Sequence, residues 1–174
     1  MVFLGDSISA GLHLSAEEAF PALLERKLGF ELVNAGVSGD TTAGGLRRVD
    51  WLLKQAPALV VIELGGNDGM RGQPIASIEQ NLRTIIEKVR ASGAKVLLLG
   101  MRIPSSYGRE YSAEFEAIYP RLARELDLAF VPFFMEGVAG VPEQNLPDGL
   151  HPTAAGHEKL AQALTEPLRK LLGK

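Results

Sequence analysis

Three side chains in this sequence have the types and spacing of an acyl-transfer relay: Ser7 in a Gly5-Asp6-Ser7 turn, and His151 with Asp148 three residues before it. A serine hydroxyl is a poor nucleophile until a base takes its proton. A neutral imidazole can do so through one ring nitrogen while an aspartate accepts from the other and fixes the tautomer. In a loop running into a helix, the spacing of Asp148 and His151 lets both side chains turn toward one point. The reaction also needs donors aimed where charge develops on the carbonyl oxygen. Asn67 carries a side-chain amide, Gly39 has no side chain to block its backbone N–H, and Ser7 can offer its own N–H. These residues point to hydrolysis of small esters or thioesters.

Other uses of the same residue types are weighed beside this one. A serine after Gly-Asp commonly serves as a turn or cap residue. Ser9 reads as structural and Ser38 as a turn residue supporting Gly39. Of the three histidines, His13 reads as an exposed loop residue and His157 as a helix surface residue. His157 opens His-Glu-Lys-Leu-Ala, which lacks the second histidine of a zinc helix. Asp6 is expected to hydrogen-bond the loops near Ser7, and Asp68 to cap or brace the turn holding Asn67, both in support of the reacting groups. The glycines Gly65, Gly66 and Gly69 lack the Lys-Ser/Thr of a phosphate loop and the pattern of a dinucleotide fold. There is no Gly-x-Ser-x-Gly elbow. With no cysteine in the chain, thiolate metal sites, disulfides and cysteine nucleophiles are excluded; neither metal nor cofactor is expected.

Such a constellation needs a frame that brings distant segments to one edge. Apolar runs at 2–4, 30–34, 58–64, 95–100 and 128–131 read as strands, the third nearly continuous, as in a strand buried on both faces. Between them, apolar stripes at helical spacing run through Phe20, Leu24 and Leu28, through Leu46, Val49 and Leu53, and through Ile78, Leu82, Ile85 and Val89. Residues 112–126 and a stripe from Leu160 to Leu172 add two more helices. Alternating strands and helices predict a doubly wound α/β/α sandwich on a parallel sheet of about five strands. Ligands bind at the carboxyl ends of strands in such folds. Ser7, Gly39 and Asn67 each follow a predicted strand, and Asp148 and His151 lie in the loop after the fifth.

The 174 residues suit one domain, taken as 1–174, with 46% hydrophobic and 22% charged residues. Eighteen basic residues against twenty-one acidic leave a net charge of −3, and the basic residues, Arg47-Arg48 among them, are scattered as on solvated helix faces. Nucleic acid is therefore not expected as a partner. No apolar run approaches a membrane span, and the first residues lack the charged and apolar regions of a signal peptide. The chain as written is expected to be soluble and cytoplasmic; a removed signal would leave the periplasm or secretion open. Oligomeric state is not legible.

These blocks together resemble the SGNH (GDSL-type) hydrolases over nearly the whole chain: Gly5-Asp6-Ser7, Gly39, Gly66-Asn67-Asp68, and Asp148 with His151. Any one block is weak, but four in order, each placed after a predicted strand, are specific. Local patterns such as Phe20-Pro21-Ala22-Leu23-Leu24, Tyr107-Gly108-Arg109-Glu110-Tyr111 and Phe133-Phe134-Met135 are similar to the multifunctional thioesterase/arylesterase/lysophospholipase branch. The resemblance implies a flavodoxin-like three-layer α/β/α fold and metal-independent ester hydrolysis. It implies an oxyanion hole of Ser7, Gly39 and Asn67, and a triad completed by Asp148 and His151. The family's first strand is longer than residues 2–4, so further residues before Met1 are expected to belong to it.

Residues 69–74 and 103–111 read equally as plain connections or as walls of an acyl groove lined by Met70, Ile103, Pro104 and Tyr107. The rival functions are a carbohydrate O-deacetylase on the same fold, a binding module that performs no chemistry, and a flavin-binding flavodoxin-like domain. The natural substrate, acyl length and preference for ester or thioester are not legible.

Overall fold

A computed structural model describes residues 1–173. Five parallel strands, β1 (Val2–Gly5), β2 (Val33–Gly36), β3 (Leu59–Glu63), β4 (Lys95–Leu99) and β5 (Ala129–Val131), form one sheet in the order β2-β1-β3-β4-β5. The helices are α1 (Ser7–Ala10), α2 (Phe20–Leu28), α3 (Thr42–Leu53), α4 (Gly66–Met70), α5 (Ile75–Ala91), α6 (Arg109–Glu125) and α7 (Ala154–Leu172). Single 3-10 turns occur at Ser105–Tyr107 and Pro142–Gln144.

The order explains the layers. The chain steps from β1 to β2 in one direction, then from β2 past β1 to β3, β4 and β5 in the other. Right-handed crossovers then put α2 on one face and α3, α5 and α6 on the other. The packing agrees: α2 packs on α7, α3 on α5, and α5 on α6. β3 is buried at every position, as its apolar run requires, whereas the edge strands β2 and β5 are only half-buried. The core joins Phe3, Leu4, Ile62, Leu98, Ile85, Phe115 and Leu164, each almost without solvent contact. Burying a side chain of this size contributes roughly 1.5–3 kcal/mol.

The helix ends follow the sequence. Thr41 Oγ1 accepts from Gly44 N to cap α3, and Thr153 Oγ1 accepts from Gly156 N to cap α7. Pro21 sits in the first turn of α2, and Gly29, at φ +66°, ends it in the left-handed conformation that a residue without Cβ adopts readily.

Two expectations are corrected. The second strand is Val33–Gly36 rather than 30–34. Its register against β1 pairs Val2 with Val33 and Gly5 with Gly36, and a Cβ at Gly36 would lie 2.4 Å from Ala10 N. The bare glycine backbone is what α1 packs against, and the ladder with β1 runs to this position. His157 is 1% exposed rather than on the helix surface. Its ring stacks on Phe20 at 5.9 Å between centroids, and its Nδ1 accepts from Phe20 N at 3.0 Å. Among the described residues, no helix is long and apolar enough to cross a membrane.

Candidate active site

The change of direction in the sheet lies between β1 and β3, and such a switch point opens a crevice beyond the strand ends. Ser7 follows β1 by two residues and Asn67 follows β3 by four, so the two face each other across that crevice. Ser7 is the first residue of α1 rather than its cap. Asp6 is the cap, its Oδ1 accepting from Ile8 N at 2.9 Å.

The loop after β5 delivers the histidine. Ser7 Oγ and His151 Nε2 are 2.9 Å apart, and His151 Nδ1 and Asp148 Oδ2 are 2.7 Å apart. Asp148 Oδ1 also accepts from the backbone N–H groups of Leu150 and His151 at 2.9 and 3.0 Å. Asp148 thus organises the turn that carries its own partner. The backbone and side-chain hydrogen bonds from His151, with the one from Leu150 N, pull its carboxyl down to a pKa of about 2. An ionised Asp148 against Nδ1–H leaves Nε2 as the acceptor facing Ser7.

Asn67 Nδ2 donates one hydrogen bond, to Asp6 Oδ2 at 3.1 Å. An amide nitrogen carries two hydrogens, so the second remains for the cavity that Asn67 lines. Gly39 sits at φ +76° in the turn after β2, a conformation costly for any residue with a Cβ. The turn is held by Val37 N donating to Gly5 O and by Arg71 Nη2 donating to Gly39 O, both at 3.1 Å. Asp68 accepts from Thr42 N at 2.9 Å and Thr42 Oγ1 at 2.6 Å, which clamps α4 to the start of α3. Ser38 lies in the turn beside Gly39.

Behind Ser7, Glu63 and Asp6 are almost fully buried. Glu63 Oε2 accepts from Asp6 N, Ser9 N and Ser9 Oγ, which gives Ser9 its structural role. Burial, with the charge of Asp6, pushes the Glu63 carboxyl well above the carboxylate range. Burial raises Asp6 to about 6 against the opposing hydrogen bond from Ile8 N.

A cavity of about 320 Å³ opens from Ser7 and His151. Its wall is mostly apolar, with Met70, Met101, Ile103, Pro104, Phe133, Met135 and Leu150 around it. Tyr107 is not part of this wall; it stands 46% exposed on its 3-10 turn. Gly39 also lies outside the lining.

Several contributors escaped the sequence reading. Arg48, taken as a solvated helix residue, donates to Asp40 Oδ2 at 2.8 Å and to Gly5 O at 2.9 Å, and also to Ala35 O, knitting the ends of β1 and β2 together. His13 is exposed as expected, but it holds φ +70° and meets His151 edge-on at 6.2 Å between ring centroids. Glu63 did leave a signal: it is a carboxylate inside an otherwise apolar strand. Among the described residues, no cluster of acidic or histidine side chains could hold a metal ion.

Residues 3–159 match the model of the GDSL-like lipase/acylhydrolase family. Esterase TesA of Pseudomonas aeruginosa is 46% identical over 178 residues, covering 99% of this chain and 89% of that protein. Thioesterase 1/protease 1/lysophospholipase L1 of Escherichia coli is 45% identical over 175 residues, covering 99% of this chain and 84% of that protein. Among solved structures, the psychrotrophic esterase EstA from Pseudoalteromonas sp., inhibited by monoethylphosphonate, superposes with a TM-score of 0.92 at 34% identity, covering 99% of this chain and 98% of that one. With the sheet, the strand-end loops and these relatives in agreement, the chain belongs to the GDSL-like lipase/acylhydrolase family.

Proposed function

We propose that this chain is a serine esterase that hydrolyses carboxylic ester and thioester bonds through an acyl-enzyme on Ser7. One observation carries the reading: the unbroken line Asp148 Oδ2, His151 Nδ1, His151 Nε2, Ser7 Oγ, with no gap above 2.9 Å, at the mouth of an apolar cavity.

Ser7 Oγ attacks the substrate carbonyl as His151 Nε2 takes its proton. Asp148 stabilises the imidazolium that forms and keeps the ring oriented. The oxyanion is met by the free N–H of the Asn67 amide and by the backbone N–H groups of Ser7 and Gly39. The Ser7 N–H lies in the first turn of α1, where a helix supplies it no partner. His151 returns the proton to the departing alcohol or thiol. Water then attacks the acyl-enzyme with His151 again as base, releasing the acid and restoring Ser7. No step calls for a metal or a cofactor.

The cavity wall favours an acyl chain over a sugar. A carbohydrate deacetylase would need several polar partners for ring hydroxyls, and apart from Asp6, Asn67 and Arg102 the side chains lining the cavity beyond Ser7 and His151 offer none. The phosphonate inhibition of the EstA relative fits the same reading, because an electrophilic phosphorus is open to attack by a serine hydroxyl.

The test is hydrolysis of p-nitrophenyl esters from acetate to palmitate by wild type and Ser7→Ala in parallel. Turnover that vanishes in Ser7→Ala is the expected result. Near-normal hydrolysis by Ser7→Ala would end the mechanism, and a well-folded wild type that cleaves no ester would return the choice to deacetylase or binding module.

A further inference from the structure

Beneath the nucleophile lie two carboxyl groups that the reaction does not use. Glu63 is 0% exposed and Asp6 2% exposed. One Glu63 oxygen is saturated: Oε2 accepts from Asp6 N at 3.2 Å, Ser9 N at 3.3 Å and Ser9 Oγ at 2.6 Å. The other, Oε1, is buried with no donor reaching it. Among the described residues no cation pairs with either group, although Arg48 binds the nearby carbonyl of Gly5. Two buried carboxylates that repel each other and have lost their solvation do not both ionise readily.

The arrangement settles once a proton is added. A proton on Oε1 turns the orphan acceptor into a donor, and the Glu63 carboxyl already lies against Asp6, whose backbone N–H it accepts at 3.2 Å. Asp6 then stays ionised, with Oδ1 held by Ile8 N and Oδ2 by Asn67 Nδ2. We propose that Asp6 and Glu63 share a single proton carried on Glu63 Oε1, and that Glu63 is thereby a positioning residue for the oxyanion donor Asn67. The inference rests on the roles given above to Ser7 and Asn67.

The chain of bonds runs from strand to site. Glu63 ends β3, whose next turn begins the helix carrying Asn67. Its neutral carboxyl holds Asp6 and the first turn of α1, on which Ser7 stands, while Asp6 aligns the Asn67 amide. Nucleophile and oxyanion donor are thus indexed to one buried group. The direction of both carboxyl shifts, upward with burial first among the causes, agrees with one proton on the pair. The other titratable groups that act with the pair, His151 and Tyr119, supply no buried cation in its place.

Glu63→Gln tests this directly. A glutamine carbonyl can accept the three bonds now on Oε2, and its NH2 can donate to Asp6, so it reproduces the neutral acid. Glu63→Met fills similar space with no polar atom. On p-nitrophenyl butyrate, Glu63→Gln is expected to keep kcat within about threefold of wild type, while Glu63→Met loses about 10²-fold in kcat with KM within about twofold, as for a misaligned oxyanion donor. Infrared difference spectra between wild type and Glu63→Gln at neutral pH should contain the carbonyl stretch of a buried protonated carboxyl. Absence of that band, or a Glu63→Gln enzyme as slow as Glu63→Met, would overturn the proposal. If Glu63→Met does not fold, the band and the Glu63→Gln rate decide. A wild type that hydrolyses no ester would remove the role in positioning, while the band would still decide the shared proton.

Discussion

Arg71 donates a 3.1 Å hydrogen bond from Nη2 to the carbonyl oxygen of Gly39, and so ties the end of α4 to the turn after β2. α4 carries Asn67 and the turn carries Gly39, so one exposed guanidinium bridges two of the proposed oxyanion donors. The bond is a solvent-exposed one, worth at most about 1 kcal/mol to the fold. Arg71→Ala should therefore leave thermal stability almost unchanged and lower kcat by about tenfold, a fraction of what losing a donor outright costs. A wild-type kcat for Arg71→Ala on p-nitrophenyl butyrate would show that the Gly39 turn needs no such tie.

Loss of a donor itself should be larger. Asn67→Ala removes the amide and leaves Asp6 Oδ2 without its partner. The expected loss is about 10²–10³ in kcat with a small effect on KM, because the oxyanion exists only in the transition state. A variant that raised KM at constant kcat would instead place Asn67 in ground-state binding. Circular dichroism and melting on the same samples separate a misfolded variant from a slow one.

The acid side of the pH profile should belong to His151 and not to Asp148. An imidazolium cannot take the Ser7 proton, so kcat/KM falls as His151 protonates. Asp148, held down to about 2 by its bonds to His151 and Leu150, is ionised over the whole range above that value. Its folded value is depressed, so its contribution to stability is present above the usual carboxylate value and lost as the pH drops through about 2. Stopped assays at graded pH should show this fall, with Asp6, raised to about 6, adding a second proton through its hold on Asn67; a rate flat through acid pH would count against the mechanism.

The groups proposed to react are legible as candidates in the sequence because their signals are local. Asp148 and His151 lie three residues apart, and Ser7, Gly39 and Asn67 each sit in a glycine-marked turn after an apolar run. What stayed hidden depends on tertiary neighbours. Arg48 looks like any helix-surface arginine until the ends of β1 and β2 come within its reach. Tyr107 was placed by its loop, but the 3-10 turn carries it away from the cavity wall. His157 was misread by residue type, although its position with Leu160, Ala161, Leu164 and Leu168 marks the buried stripe of α7.

Burial of His157 gives the fold an acid sensitivity of its own. Desolvation depresses its pKa from 6.5 to about 4, opposed by the charge of Glu18 and helped by that of His151. Protonation would also destroy the acceptor that holds Phe20 N. Because the unfolded chain binds this proton more tightly, stability is fully present above about 6.5 and falls as the pH drops through 4. A shift of this size corresponds to roughly 3 kcal/mol. His157→Gln keeps a side-chain acceptor and should be less stable at pH 8 but flatter between pH 7 and 4. Urea midpoints across that range measure it, and equal slopes for the two proteins would exclude His157 as the cause.

The apolar wall should set acyl preference one methylene at a time. Ile103 is 8% exposed and Met101 4%, and both line the cavity beyond Ser7. Phe133 faces them with the Arg102 guanidinium 4.7 Å over its ring, and Arg102 is in turn paired with Glu116 at 2.7 Å. Each methylene buried along such a wall is worth about 0.8 kcal/mol, or about fourfold in kcat/KM, until the groove is full. The rise should therefore stop at a definite chain length. Ile103→Trp narrows the groove without touching Ser7, so acetate hydrolysis should stay within about twofold while esters past the new limit fall by tenfold or more, about 1.4 kcal/mol of lost burial. Met70→Ala with Ile103→Ala widens it and should move the optimum to longer chains. An unchanged chain-length profile in both variants would mean that the acyl group lies outside this cavity, and that the cavity receives the leaving group instead.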